Sequence, residues 1–159
     1  MGTNDPKTNA VRLLESLSVE FDLHAYDASD GRIDAAAVAE KVGVAPERLF
    51  KTLVARTASD EIVVFCVPGS TELDLKKAAR AAGAKSVQLV RASELKGLTG
   101  YERGGCSPFG MKRPYPIRLE ESALRFDRIL VSGGAIGLQI EISPADLCRL
   151  TKAEMVELV

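Results

Sequence analysis

The chain has 159 residues, of which 46% are hydrophobic and 27% are charged, and this is the balance of an ordinary globular protein. This length predicts one domain, residues 1–159, that buries a core without needing a disulfide or a metal ion. The net charge of −1 excludes the basic excess typical of proteins that hold a nucleic-acid backbone unaided.

Hydropathy and cysteine usage exclude further classes. The longest apolar run, Ile62–Val67, is far shorter than the ~18 residues of a membrane-spanning helix, and the N-terminus does not read as a secretory signal. We therefore expect a cytoplasmic protein. Three widely spaced cysteines and one histidine, His24, lack the spacing of zinc ligands, so we expect no metal and no cofactor.

The first half of the chain alternates helical and strand patterns. Residues 8–17 predict a helix with Thr8 or Asn9 as its N-cap, and residues 21–26 alternate as a half-buried strand does. Residues 34–42 predict a helix that Asp34 can cap and that Gly43 ends. Two β-rich runs, 49–56 and 61–68, predict a hairpin.

The middle of the chain is helical and then irregular. Residues 72–83 predict a helix that ends on Gly83, and residues 86–90 predict a short strand. A helical turn at 93–96 precedes a glycine- and proline-rich stretch, 97–116. Long irregular segments are uncommon in compact domains and often form binding sites, so this stretch is a functional candidate.

The last third returns to regular structure. Strands are predicted at 117–119, 127–132 and 137–142, and Ser143-Pro144 starts a helix in the favoured way. The capping-box spacing of residues 151–154 predicts a final helix. Adjacent strands mixed with strand–helix alternation predict an α/β fold of the α+β type, with a mixed, barrel-like sheet core and flanking helices.

Lys51 lies in the strand-like run Leu49–Leu53. One interpretation is a solvent-facing lysine on a half-buried strand, which the residue type alone favours. The other is a cation at a cleft that binds a phosphate, a hydroxyl or an ester carbonyl.

Two glycine-rich segments can bring backbone amides close to a ligand. The first, Gly104–Gly110, holds adjacent glycines followed by Cys106, Ser107 and a proline, and the second runs from Ser132 to Gly137. A simple turn-rich loop is an equally good interpretation of the first. Neither segment has the order of a nucleotide-cofactor motif.

Cys106 invites a cysteine-nucleophile interpretation with His24 as its base. Such catalysis needs the base within hydrogen-bond reach, which sequence does not show. A small residue that fills a tight loop is the alternative role. Cys66 and Cys148 lie in apolar contexts typical of a core.

In combination these segments resemble the YbaK/EbsC family of aminoacyl-tRNA deacylases. The matching elements keep their order and spacing over nearly the whole chain, including the opening AVRLLESLSVEFDLHAY. They are FKTL at 50–53, LDLKKAA at 73–79, GGCSPFG at 104–110 followed by Lys112, and VSGGAIGLQIEI at 131–142.

The resemblance implies a free-standing relative of the editing domain of bacterial prolyl-tRNA synthetases, with the same fold and no metal. The implied activity is the removal of cysteine from mischarged Cys-tRNA(Pro), with prolyl-tRNA synthetase as a partner. In the implied mechanism the substrate's own thiol attacks its ester carbonyl, and the enzyme orients the substrate and stabilises charge.

The resemblance also implies roles for particular residues. Lys51 would contact the ester end, and Gly104 and Gly105 would offer backbone donors as the catalytic group. The implied substrate-binding residues are Tyr26, Thr52, Ser107, Ser132, Gly133 and Gln139. Gln139 is a departure, because the family often has an acidic residue there, one that could interact with the substrate amino group.

Three alternatives stay open at this point. One is a cysteine hydrolase built on Cys106. A second is a deacylase that removes alanine or another amino acid by water attack. The third is a non-catalytic module that binds an aminoacyl group or a nucleotide.

Overall fold

The computed structural model describes residues 7–159, which form five α-helices, eight strands and two short 3₁₀ helices. In chain order the elements are α1 Asn9–Ser16, β1 Asp22–Ala25, α2 Ala35–Val42, a 3₁₀ helix Pro46–Arg48, β2 Phe50–Thr57, β3 Ile62–Pro68, α3 Leu75–Ala82, β4 Val87–Leu89, α4 Ala92–Thr99, β5 Ile117–Glu120, a 3₁₀ helix Glu121–Arg125, β6 Ile129–Ser132, β7 Leu138–Ile142, α5 Pro144–Thr151 and β8 Glu154–Val156.

The strands form two sheets. The smaller sheet has the order β1-β7-β6 and is antiparallel, and the larger has the order β4-β2-β3-β5-β8. In the larger sheet β4, β2 and β3 pair antiparallel, whereas β3, β5 and β8 pair parallel. A parallel bridge between Leu49 and Leu130 joins the sheets. The predicted mixed α/β fold is confirmed, although the described strands form two sheets and not one closed barrel.

The main core is built from β-branched and aromatic side chains of both sheets, packed with α1 and α5. Phe50 and Phe109 are among its largest fully buried side chains. A second cluster lies between α3 and the larger sheet, around Phe65. A third joins Val38 of α2 to Leu130 on the smaller sheet, so α2 covers the side of that sheet opposite the main core.

Most helix boundaries agree with the capping residues in the sequence. The side chains of Thr8, Asp34 and Ser143 each accept a hydrogen bond from a backbone N–H three residues further on. The helix predicted at 72–83 begins later, at Leu75, because Asp74 caps it. The hairpin of β2 and β3 is confirmed as well.

Two sequence predictions are wrong. The turn predicted at 93–96 is a full helix to Thr99, which removes the start of the predicted irregular stretch 97–116, and Gly100 ends that helix with φ of 85°. The helix predicted from residues 151–154 is instead the strand β8. Thr151 still belongs to α5, where its hydroxyl bonds the Leu147 carbonyl, and Lys152 ends that helix in a left-handed conformation.

Among residues 7–159, no helix combines the length and the apolarity that crossing a membrane would require.

Glu120 links β5 to the end of the chain. Its carboxylate accepts hydrogen bonds from the backbone of Ser122 at 2.7 Å and of Leu158 at 3.0 Å. Burial opposes ionisation, but these hydrogen bonds outweigh it and hold the pKa of Glu120 below its ordinary value. A carboxyl group with a depressed folded-state pKa stabilises the fold above its unfolded-state pKa, and this stabilisation is lost as the pH falls through the folded-state pKa.

We therefore expect Glu120→Gln to lower the free energy of unfolding at pH 7 by about 1.5–3 kcal/mol, the scale of hydrogen bonds to a charged group. Urea unfolding at pH 7 and pH 3 measures this, and the difference from wild type should shrink at pH 3. Glu121→Gln, at an exposed neighbouring position, is the matched control. Equal stability of wild type and Glu120→Gln at pH 7 would contradict the assignment.

Candidate active site

The candidate site opens where β2 parts from the smaller sheet. Leu49 bridges Leu130, and β2 is next paired on that edge from Ala55 onward, with β4. The edge at residues 51–53 therefore borders an opening and not a neighbouring strand. A cavity of about 190 Å³ lies there, and we call it the inner cavity.

Strand, helix and loop residues together line the inner cavity. They are Leu49, Phe50, Lys51, Thr52 and Leu53 of the β2 segment, Tyr26, Ser132 and Gln139 of the smaller sheet and its margin, Ile33, Ala35 and Val38 in and before α2, and Arg103, Gly104 and Cys106 of the loop after α4. At this size the inner cavity suits an amino-acid moiety better than a whole nucleotide.

Six of the residues singled out from the sequence lie together at this cavity. They are Tyr26, Lys51, Thr52, Gly104, Ser132 and Gln139. Gly104 has φ of +86°, and a Cβ there would approach Ile33 Cδ1 to 3.0 Å. Only glycine adopts this conformation without strain, so the loop passes close over the cavity at this point.

Three other predicted residues, Gly105, Ser107 and Gly133, do not line the cavity. The Gly105 N–H, expected as a donor to substrate, instead donates to the Glu102 carbonyl at 2.9 Å. Ser107 is fully buried, and its hydroxyl accepts from the Phe109 N–H. The Gly133 N–H donates to the Leu138 carbonyl at 2.8 Å. These groups are occupied within the protein, so we assign them no direct contact with substrate.

The inner cavity carries positive charge. Lys51 is half-buried, and no carboxylate of residues 7–159 lies within ion-pair distance of it. Arg103 is exposed at the cavity and has no such partner in the same part of the chain either. Among the residues that the structure describes, no Asp, Glu or His lines the cavity. A cation without a carboxylate partner is free to interact with an ester oxygen or a phosphate.

Gln139 is the buried polar side chain of the cavity. It lies on β7, directly opposite Ser132 of β6 and His24 of β1, so the three residues share one face of the smaller sheet. Gln139 is only 5% exposed, and its Oε1 has no hydrogen-bond partner among the described residues. A buried unpaired acceptor costs about 1–3 kcal/mol, and a donor from a bound ligand would remove that cost.

Three hydroxyl-bearing side chains at the cavity, those of Ser132, Thr52 and Tyr26, each have a neighbour within the protein. Ser132 Oγ accepts a hydrogen bond from the Gly134 N–H at 3.2 Å. Thr52 Oγ1 lies 3.9 Å from Cys66 Sγ. Tyr26 has Lys41 Nζ at 5.9 Å from its ring centre, a distance typical of a cation–π contact. These contacts fix side chains that shape the cavity.

The cysteine-nucleophile hypothesis finds no support in the site. Burial raises the pKa of the Cys106 thiol to about 11, so the thiol is protonated near neutral pH. His24 is engaged elsewhere, with its Nε2 at 2.6 Å from Glu141 Oε1. No hydrogen bond joins Cys106 to His24 within residues 7–159. In that same range no three His, Cys, Asp or Glu side chains cluster as metal ligands do.

Sequence reasoning missed Arg103 and the α2 side of the cavity. Ala35 and Val38 lie on the apolar face of α2, and the sequence predicted this segment only as a helix that Asp34 caps and Gly43 ends. The one available signal for Arg103 was its position next to Gly104. The basic pair Lys112-Arg113 lies in a different groove, beside Leu150–Lys152.

The fold is that of a domain that edits aminoacyl-tRNA. A model of the aminoacyl-tRNA editing domain matches residues 31–150. The chain belongs to this family, and its resemblance to the YbaK/EbsC deacylases is confirmed.

Similar proteins span nearly the whole chain. The "Putative Cys-tRNA(Pro)/Cys-tRNA(Cys) deacylase EbsC" of Enterococcus faecalis is 41% identical over 152 residues, 96% of this chain and 93% of that protein. A solved structure described as "a putative trans-editing enzyme for prolyl tRNA synthetase" has a TM-score of 0.83 and 26% identity, covering 97% of this chain and 98% of that one. A proline–tRNA ligase of Brachyspira hyodysenteriae is 26% identical over 87 residues, 55% of this chain and 15% of the ligase.

The buried state of Cys106 generates a prediction about its reactivity. With a pKa of about 11, on the order of one Cys106 thiol in a thousand is ionised at pH 8. We expect iodoacetamide to modify half-buried Cys148 before Cys106 in the folded protein, as peptide mass spectrometry would record. Cys66, which is fully buried with a pKa raised to about 12, serves as an unreactive internal reference. Preferential labelling of Cys106 at pH 7 would restore it as a nucleophile.

Proposed function

We propose that the protein is a trans-editing deacylase that clears mischarged Cys-tRNA(Pro). The family gives the general activity on aminoacyl-tRNA. The name of the relative from Enterococcus faecalis supports cysteine as the amino acid. The description of the solved structure supports an enzyme that serves prolyl-tRNA synthetase.

The observation that carries the mechanism is the absence of a catalytic base from the lining of the inner cavity. Its described lining residues include no Asp, Glu or His, and its thiol, on Cys106, is held protonated by burial. A protein-derived nucleophile needs a neighbouring base or a lowered pKa, and the cavity offers neither. A nucleophile that arrives with the substrate resolves this difficulty.

In the proposed step the sulfur of the substrate cysteine attacks its own ester carbonyl carbon. A carbon–sulfur bond forms, the carbon–oxygen bond to the tRNA ribose breaks, and the proton lost from the thiol is balanced by the proton gained at the ribose oxygen. The products are a cyclic thiolactone and uncharged tRNA. Holding the thiol near the carbonyl supplies the proximity that an intramolecular reaction exploits.

Lys51 is the residue that we assign to charge stabilisation. Negative charge develops on the carbonyl oxygen as sulfur attacks and on the ribose oxygen as it leaves. The Lys51 ammonium group lies at the cavity without a described carboxylate partner, so its charge is available to these oxygens. Gly104 lines the same cavity, and a side chain there would crowd Ile33.

Gln139 is the residue that we assign to the substrate α-amino group. Its unpartnered Oε1 can accept a hydrogen bond from that group, and this satisfies an otherwise orphaned buried acceptor. An amide carries no net charge, so it holds an ammonium group less strongly than the carboxylate that relatives often have there. This contact orients the substrate and takes no part in bond breaking.

A synthetase partner fits the charge of the protein. The net charge of −1 supplies little sequence-independent attraction for the tRNA backbone. We therefore propose that prolyl-tRNA synthetase helps to present the charged tRNA to this enzyme.

The first test is Lys51→Ala, assayed on Cys-tRNA(Pro) in buffer that contains EDTA. Loss of one preorganised electrostatic contact typically lowers kcat about 10²–10³-fold, and we expect a loss of this size. Lys85→Ala, at an exposed lysine that lines none of the described cavities near the site, is the matched control and should keep wild-type activity. Thermal unfolding of both variants checks that the fold is retained. Wild-type activity in Lys51→Ala would remove this residue from the mechanism.

The second test compares the rates at which different amino acids are released from tRNA(Pro), and the activity with and without the Cys106 thiol. Wild type should release cysteine from tRNA(Pro) much faster than serine, because a neutral hydroxyl is a far poorer nucleophile than a thiol. Alanine, which has no side-chain nucleophile, should be released slowest. Cys106→Ala should stay within a few-fold of wild type. Rapid release of alanine would instead favour water attack, and fast serine release with an inactive Cys106→Ala would favour a cysteine hydrolase.

A further inference from the structure

A second cavity continues from the inner cavity along β2 toward β4 and the start of α4. It has a volume of about 310 Å³, and we call it the outer groove. The two cavities share the wall formed by Thr52, Leu53, Arg103, Gly104 and Cys106. The residues that line the outer groove and not the inner cavity are Val54, Leu89, Val90, Arg91, Ala92 and Leu95, of which Leu89, Val90 and Arg91 also line a neighbouring cavity with Glu94. A ligand seated in the inner cavity can therefore extend into the outer groove.

The outer groove combines an apolar surface with two arginines. Leu89 is 45% exposed there although it is a large hydrophobic side chain. Arg91 and Arg103 are exposed, and neither forms an ion pair with a carboxylate of residues 7–159. The lining of the groove includes no acidic residue among residues 7–159. The outer groove therefore presents positive charge next to exposed apolar surface.

Two acidic residues lie close to these arginines in sequence, and each has another partner. Glu94, on the first turn of α4, accepts a hydrogen bond from Arg56 at 2.9 Å and another from the Arg91 N–H at 3.0 Å. Glu102, next to Arg103, lies 3.4 Å from Lys96 Nζ. Neither carboxylate forms an ion pair with the guanidinium group of Arg91 or Arg103, so both groups are available to an anionic ligand.

We propose that the outer groove holds the single-stranded 3′ nucleotides of tRNA that precede the aminoacylated adenosine. This inference rests on the proposed function, which places the ester in the inner cavity. The nucleotides before the ester must leave that cavity, and the outer groove is continuous with it. Arginines suit their phosphates, and bases stack on apolar surfaces and on guanidinium planes without regard to sequence.

Arg91 is the discriminating residue, because it lines the outer groove and not the inner cavity. We expect Arg91→Ala to raise the KM for Cys-tRNA(Pro) about tenfold, the scale of one charge-assisted contact. Its kinetics on the cysteine ester of adenosine alone should be unchanged, since that small substrate lacks the preceding nucleotides. Leu89→Ala should show the same pattern with a smaller effect. Arg12→Ala, at an exposed arginine on α1 outside both cavities, is the matched control.

A second readout does not depend on deacylation. Isotope-labelled wild-type protein is titrated with the uncharged trinucleotide CCA, and backbone amide shifts are followed by NMR. We expect changes at Leu89, Val90 and Arg91 that weaken as salt is raised and that are reduced in Arg91→Ala. Such changes in a protein that fails to deacylate any tRNA would sustain the groove and refute the proposed function.

The inference is overturned if CCA leaves these amides unchanged, or if it perturbs only the separate basic groove around Lys112 and Lys152. It is also overturned if Arg91→Ala slows the adenosine ester and the full tRNA equally, because Arg91 would then act on the ester and not on the preceding nucleotides.

Discussion

The site depends on the way in which β2 is shared between two sheets. Its beginning is tied to the smaller sheet through the Leu49–Leu130 bridge, and its far end is paired with β4 from Ala55. Along its other edge β2 pairs with β3 from Phe50 to Arg56, and this pairing spans the whole interval. A strand that is held at both ends and along one side can leave its other edge open without fraying, and the inner cavity occupies that opening.

The loop over this opening is fixed by tertiary contacts. The Tyr101 hydroxyl donates to the Phe109 carbonyl at 2.6 Å, and a Cβ on Gly110 would meet the backbone of Asn9 at 2.9 Å. The loop is thereby anchored to α1 and to the core on the far side from the cavity. A Cβ on Gly105 would likewise meet the backbone of Ala135 at 3.0 Å. A loop held in this way presents Gly104 in one position, which is the preorganisation that electrostatic catalysis requires.

The electrostatic character of the cavity and the proposed chemistry are consistent with each other. A cavity lined by Lys51 and Arg103, and by no acidic residue or histidine within residues 7–159, offers positive charge to an oxygen on which negative charge develops. Such a site accelerates a reaction whose nucleophile and geometry are already present in the substrate. Amino acids would then be distinguished by the reactivity of their side chains as well as by their size. A pocket distinguishes amino acids of similar volume poorly by size alone.

Local signals in the sequence determined much of the secondary structure. Caps at Thr8, Asp34 and Ser143 predicted where three helices begin. This signal is local, because the side chain of an N-cap residue accepts a hydrogen bond from a backbone N–H three residues further on. The β-rich runs predicted the β2–β3 hairpin for the same local reason. The motifs also predicted the family, because they occur in this chain in the order and at the spacing that the family has.

Tertiary structure decided the rest. Residues 154–156 form a strand because the edge of β5 offers them partners, and this overrides the capping pattern at Thr151. Gly104 and Gly105 are indistinguishable in sequence, yet only Gly104 lines the cavity, and the Gly105 N–H donates to the Glu102 carbonyl. Arg103 joins Lys51 at the cavity only because the loop folds back over β2. Which side chains share a cavity depends on contacts between distant segments, and no local pattern encodes those contacts.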